Sequence, residues 1–307
     1  MTDNKTYSMT DNALMSDSAV IKIPDGGEFY LLRRIPNVLR ARGYRLYLSD
    51  KDSYLGKRRL VDLWLNGGAA VLGHTPPNML REIKNTASRG LYTPYPHFTH
   101  GRFLKALSKL LPGYNFRVYA AAPSVLIKTF PHINFWRPFA DNLSPFAAEK
   151  DTPMIVPVLP CIQTWRNGLP IGLCVTAFQD NISKNNDAES QFFKNLTSII
   201  KQLPESDFLP PVLLAAATRG INDILASTER VNINYLRIAK IIKNTRWNQN
   251  GIYLLLKNKV SDSEWEVLFN QFLDEGFLLP PVQDHPVILP GELSDGEEVK
   301  LANILVK

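Results

Sequence analysis

The stretch Arg59-Leu-Val-Asp62-Leu-Trp64-Leu-Asn-Gly67-Gly68-Ala-Ala-Val-Leu72-Gly73-His74-Thr-Pro-Pro77 changes character three times over a short span. Arg59 to Leu65 alternates as a strand does. Before it, Tyr44 to Leu48 has the same pattern, and a polar turn with Asp50, Asp52, Ser53 and Gly56 separates the two, so they pair as a hairpin. Asn66-Gly67-Gly68 then supplies residues free to take positive φ. Pro76-Pro77 opens a helix over 78–88, because proline fits a first helical turn. Asp62 is expected to be a turn or strand-end partner, and His74 a hydrogen-bonded structural histidine.

Outward from this stretch the pattern alternates. A helix is expected over 102–111, stopped by Pro112-Gly113, with a strand from Phe116 to Ala120. Apolar runs of strand length cover 154–159 and 173–178. Helices are expected over 189–203, 212–225, 234–243 and 294–306, and strands over 251–256 and 277–279. Ser261-Asp-Ser-Glu264 is a capping box that starts a helix ended by Gly276. Alternating strands and helices in the front two-thirds indicate α/β, and the last eighty residues a compact α+β lobe.

The whole chain has 307 residues, 45% hydrophobic and 21% charged, which excludes a largely disordered protein and favours two lobes. Its 22 prolines exclude a long uninterrupted coiled coil. The net charge is +6, unevenly spread. Arg33, Arg34, Arg40, Arg42, Arg45 and Arg59 crowd the front, whereas Glu264, Glu266, Glu292, Glu297 and Glu298 crowd the end. Intramolecular charge complementarity is the first expectation; a nucleic acid or anionic ligand is not excluded. Cys161 and Cys174 fit no metal spacing or disulfide framework and are expected as buried thiols, and the histidines form no metal cluster. No run approaches the ~18 apolar residues of a membrane span, and the polar start has no signal-peptide core. A cytoplasmic location is expected.

The run from Arg45 to Asn78 resembles the N-terminal segment of class III aminotransferases, where a hairpin leads to a glycine-rich loop and Leu-Gly-His-Xaa-Xaa-Pro. Asn167-Gly168-Leu169-Pro170-Ile171-Gly172-Leu173-Cys174-Val175 resembles that family's Gly-Gly-Leu-Pro-Ile-Gly-Ala-Val-Val. Ala215-Ala216-Ala217 to Leu225, Leu111-Pro112-Gly113 and Phe272 to Leu278 are similar to further segments in the family's order. The resemblance implies a dimeric fold-type-I protein holding pyridoxal phosphate as a Schiff base on a lysine.

The departures fall on the chemistry. Gln163 occupies the position of the Schiff-base lysine, and no lysine lies between 151 and 178. An amide neither forms an imine nor serves as the base of a prototropic shift. The family's glycine-rich phosphate cradle is replaced by Ala120-Ala-Ala-Pro123-Ser124-Val125. The Asp that pairs with the cofactor's pyridinium nitrogen is not recognisable. The partner-subunit threonine that helps hold phosphate falls near Ser206 or Asp207, and the chain is shortened between Ser124 and Thr152.

The fold expected is therefore α/β: a truncated fold-type-I aminotransferase-like architecture with a reduced central sheet and a smaller α+β lobe built from the N- and C-terminal segments. The expected divisions are a tail over 1–28, an N-terminal segment over 29–116, a Pro-rich remnant of the cofactor domain over 117–225 and a C-terminal lobe over 226–307. The function expected is that of a catalytically degenerate aminotransferase-like homodimer without catalytic residues or cofactor, acting as scaffold, partner subunit or ligand-binding module. A pocket for a small anionic ligand is expected around Gly67, Gly68, His74, Arg166 and Asn167, with Arg166 able to hold a carboxylate. Phe135, Trp136 and Phe139 are expected as core, with Arg137 able to make a cation–π or anion contact. The alternatives are a pyridoxal-phosphate enzyme with a relocated lysine, Lys128 or Lys150, and a polyanion- or RNA-binding protein using the basic front.

Overall fold

The computed structural model describes residues 27–49, 59–129, 133–140, 154–179, 200, 202–227 and 235–306. The helix expected over 189–203 and most of the N-terminal tail lie largely outside them.

The smaller lobe joins the two ends of the chain. Strands β1 (Val38–Arg42), β2 (Arg45–Leu48) and β3 (Arg59–Asp62) form an antiparallel set, and β11 (Phe277–Leu278) adds to β3 in parallel. A second sheet has the order β12 (Val287–Ile288), β10 (Tyr253–Leu256), β9 (Trp247–Asn250). Between them lies one core in which Leu60 and Leu63 of the front pack with Tyr253, Phe269, Phe272 and Leu301 of the end. Full burial of each such side chain stabilises by roughly 1.5–3 kcal/mol, so the lobe exists only when both ends are present.

Helix α6 (Asp262–Glu275) starts as its sequence dictates. Glu264 N donates to Ser261 Oγ at 3.3 Å, and Ser261 N donates to Glu264 Oε2 at 2.9 Å. Gly276 closes it with φ 93°. The closing helix is α7 (Asp295–Val306). Charge complementarity between front and end is realised here. Arg45 reaches Glu297 at 2.7 Å, Arg59 reaches it at 3.3 Å, and Arg34 pairs with Glu266.

The central layer has the strand order β4 (Tyr114–Ala121), β8 (Leu169–Gln179), β6 (Met154–Pro157), β5 (Phe135–Trp136), with β7 (Thr164–Arg166) hairpinned onto β8. β8 runs antiparallel to β4 and β6, while β5 and β6 are parallel. β8 is buried along most of its length, so it reads as a continuous apolar run instead of alternating. Helices α1 (Pro77–Ala87), α2 (Thr99–Leu110) and α4 (Pro211–Ala226) pack beside this sheet, with Phe103, Leu107, Val118, Leu173, Leu213 and Ile221 sharing one core. Gly220 lets α4 approach Pro160 closely, since a Cβ there would lie 2.5 Å from the Pro160 carbonyl oxygen. Short helices α3 (Ser124–Thr129) and α5 (Leu236–Ile241) complete the described elements. No helix among the described residues is long and apolar enough to cross a membrane, and they contain no cluster of metal-ligating side chains.

Among the strands that differ from the sequence expectation, two show the cause directly. The strand expected to run to Leu65 ends at Asp62, because that side chain turns back to accept backbone hydrogen bonds. β1 was not expected: four of its five residues are exposed, so no buried face writes a pattern into Val-Leu-Arg-Ala-Arg.

Candidate functional site

The site is built on the turn that follows β3. Asp62 is 2% exposed. Its Oδ1 accepts from Trp64 N at 2.8 Å and Leu65 N at 2.9 Å, and its Oδ2 pairs with His74 Nε2 at 2.9 Å. Held this way, Leu65, Asn66 and Gly67 take φ of 47°, 50° and 66°, and Gly68 takes 112°. Left-handed backbone is unfavourable for residues with a Cβ, at ~1 kcal/mol or more each, so the buried carboxylate fixes a conformation that the chain would otherwise leave. A Cβ on Gly67 would lie 2.6 Å from the Trp165 ring. One on Gly68 would lie 3.1 Å from Val158 and 3.4 Å from Arg137 Nη1. The glycines allow two side chains of the central layer to press against the backbone.

Those side chains come from the ends of the central strands. Trp165 on β7 donates from Nε1 to Asn66 O at 2.9 Å, and Asn66 Nδ2 donates to Gln163 O at 2.8 Å. Arg137, just past β5, donates from Nη1 to Gly67 O. It is 5% exposed and lies 5.3 Å from the Phe135 ring and 5.9 Å from the Tyr253 ring. Burial pulls its pKa down to about 10. From the smaller lobe, His285 is 4% exposed and packs edge-on to Trp165 at 4.5 Å. Burial, then the Arg137 charge, pull its pKa down to about 3. Trp64 Nε1 lies 3.1 Å from His285 Nδ1. An indole nitrogen can only donate, so Nδ1 is the acceptor and the neutral ring carries its proton on Nε2.

The residues expected to form the pocket divide. Gly67 and Gly68 lie in the turn itself, close-packed against the central layer. His74 instead braces the turn through Asp62. Arg166 is exposed on the β7–β8 hairpin. Asn167, with φ 52°, forms the hairpin turn, where Asn167 N and Gly168 N donate to the Glu28 carboxylate at 2.6 and 2.7 Å. The glycines face Trp165, Val158 and Arg137, and His285 packs against Trp165. Of Arg137, Trp165 and His285, only Arg137 carried a signal, as a lone cation inside Phe135-Trp136-Arg137-Pro138-Phe139.

The residues present do not fit pyridoxal phosphate. Gln163 accepts the Cys161 thiol at 3.0 Å on Oε1, while its buried Nε2 has no acceptor. Cys161 and Cys174 are free and buried, and burial pushes the Cys174 thiol up to about 12 and that of Cys161 higher still. Where the resemblance places a phosphate cradle, Pro123 has no N–H to offer. Beside it, Asp207 Oδ2 accepts from Ala120 N at 2.8 Å and Ser206 Oγ from Val118 N at 3.0 Å. A carboxylate already takes the donor that a phosphate needs and repels its charge. Lys128 is exposed on α3, and Lys150 lies outside the described residues.

No protein-family profile matches the chain. It is 27% identical over 292 residues to an uncharacterized protein of Treponema pallidum (strain Nichols), covering 85% of this chain and 91% of that one. It is 25% identical over 277 residues to an uncharacterized protein of Borreliella burgdorferi, covering 87% and 89%. Among solved structures, it is similar to acetylornithine aminotransferase from Elizabethkingia anophelis, with TM-score 0.53, 10% identity and coverage of 87% and 92%. Ornithine aminotransferase from Plasmodium yoelii gives TM-score 0.55, 10% identity and coverage of 88% and 92%. The chain has the fold-type-I architecture of the class III aminotransferases, with a reduced central sheet and a smaller lobe built from its two ends.

Proposed function

We propose that the chain is a catalytically degenerate member of the class III aminotransferase family. It keeps the scaffold, holds no cofactor, and works as a ligand-binding or partner subunit in the cytoplasm. The observation that carries this reading is Gln163, whose side-chain nitrogen has no acceptor at the position the resemblance gives to the Schiff-base lysine. The buried Arg137 cation and the Asp207 carboxylate beside the former cradle point the same way, because the site is altered at several places at once. Restoring the lysine alone is therefore not enough. Titrating pyridoxal phosphate into wild-type and Gln163→Lys protein should give no saturable visible-edge band in either. A one-to-one band in wild type would support the alternative, an enzyme using Lys128, Lys150 or another lysine.

The reading includes a homodimer. Tyr92, Tyr95, Phe98 and Phe208 are each more than half exposed, and Val212 N donates to Leu91 O at 3.0 Å, which ties the first of these segments to the start of α4. Exposed aromatic groups of this kind mark contact surfaces. Sedimentation equilibrium should give twice the chain mass, and a monomer at all concentrations would reject the dimer. The polyanion alternative is weakened by the pairing of Arg34, Arg45 and Arg59 with carboxylates of the smaller lobe.

A further inference from the structure

Helices α1, α2 and α4 border a cavity of about 390 Å³, a volume in the range of small-molecule sites. Buried Ala106 of α2 and Ala215 of α4 line it, and their short side chains leave the space open between the packed helices. The rest of its lining is charged. Arg102, Lys105 and Lys109 of α2 and Arg219 of α4 face one carboxylate, Glu82 of α1. The three α2 cations stand at i, i+3 and i+7, so they share one helix face along about 10 Å. Arg219 is held by Asp223 at 2.6 Å, and Arg102 lies over the Phe98 ring at 4.3 Å. Elsewhere Arg34, Arg45 and Arg237 each take a carboxylate. Among the described residues Arg102, Lys105 and Lys109 take none. Like charges three and four apart on a helix repel, and a concave wall concentrates their field. The first turn of α2 holds no acidic residue, so the positive end of the helix adds to Arg102 with nothing to offset it.

We propose that this cleft binds the diphosphate group of a small ligand, with Arg102, Lys105 and Lys109 donating to its oxygens and Arg219 closing the other side. The inference is separate from the cofactor reading, since none of these residues belongs to the Asn66–Gly68 turn or packs on it. Three unpaired cations call for more than one negative charge. A stripe of about 10 Å is longer than one phosphoryl group spans, whereas two linked groups reach along it. Lysine ammonium groups are point charges that turn to meet either group, and the Arg102 fork fixes one end. Glu82 sets a limit on the anion, repelling any further phosphate and accepting from a hydroxyl or amine. A continuous nucleic-acid backbone needs a basic groove that runs on, which one cavity interrupted by a carboxylate does not give.

Calorimetric titration of the full chain tests this at neutral pH and constant ionic strength, without divalent cations. The probes are inorganic pyrophosphate, ADP, orthophosphate, sulfate and a short single-stranded RNA. Pyrophosphate or ADP should bind saturably, one per chain, and roughly ten-fold more tightly than orthophosphate or sulfate. Tighter binding of pyrophosphate identifies the free ion as the better ligand, and tighter binding of ADP identifies an ester. Arg102→Gln and Lys105→Gln should each weaken the preferred probe roughly ten-fold, the scale of one charge-assisted hydrogen bond. Glu82→Gln should tighten it, and Lys84→Gln, exposed on α1 outside the cleft, should leave it unchanged. Arg102 and Lys105 are exposed, so these variants keep the fold, and matching thermal midpoints check that they do. Diphosphates binding no more tightly than sulfate overturn the proposal, as does equal binding by Arg102→Gln and Lys105→Gln. RNA binding more tightly than both diphosphates, and lost in the same variants, overturns it in favour of a nucleic-acid surface.

Discussion

Replacing His285 by Phe should flatten the acid side of the stability curve. The folded-state pKa is held near 3, far below the ordinary 6.5, first by burial and then by the Arg137 charge. Above pH 6.5 both folded and unfolded chains carry a neutral ring, so nothing depends on pH. As pH falls below 6.5 the unfolded chain binds a proton there that the folded chain refuses until about pH 3. Stability is therefore lost across that window, at about 1.4 kcal/mol per pH unit. Between pH 7 and pH 4 this amounts to roughly 3 kcal/mol in wild type. Phenylalanine cannot take the proton, so its contribution to that slope vanishes. At neutral pH the variant should lose only about 1 kcal/mol, because the Trp64 indole N–H is left without its acceptor. Urea midpoints at both pH values decide it, and equal acid slopes for wild type and variant would show that the ring is not buried neutral.

Trp165→Ala should lose about 3–5 kcal/mol at neutral pH, the range for deleting a buried large aromatic. Trp165 is 4% exposed and fills the space that Gly67 leaves open. It also packs on His285 at 4.5 Å and on Phe135 at 5.8 Å, and its N–H serves Asn66 O. Its removal opens a cavity where the two lobes meet and strips a carbonyl of its donor. Gly67→Ala, harmful alone through its clash with the Trp165 ring, should cost less in the Trp165→Ala background. The remaining cost is that of its φ of 66°. The cavity also admits water to His285, so the acid slope should shrink in this variant. A loss under about 1 kcal/mol would contradict the packing described here.

These two side chains show what could and could not be read beforehand. Local features were legible because neighbours in sequence cause them. Ser261 and Glu264 cap α6 across one turn, Gly276 stops it, and Pro77 sits in the first turn of α1. The Asn66-Gly67-Gly68 turn was legible because left-handed backbone favours these residues. β1 and β9 escaped because neither shows an apolar period: β1 is exposed at four of its five residues, and β9 is polar apart from Trp247. The two-residue β11 exists only because distant β3 supplies its partner. His285 lies in the polar string Gln283-Asp284-His285 and looks like surface, and its burial comes from Trp64 and Trp165, both remote in sequence. Arg166 and Arg137 cannot be told apart by type. Only the fold exposes the first and buries the second.

The family resemblance named the fold, and the solved aminotransferases share it. The proposed loss of cofactor chemistry is tested most directly by peptide mapping after borohydride reduction. Full-length protein is saturated with pyridoxal phosphate, reduced, digested and mapped by mass. No lysine should be modified in one-to-one stoichiometry, with only scattered substoichiometric labelling of surface lysines. A single lysine carrying one phosphopyridoxyl group per chain would contradict it.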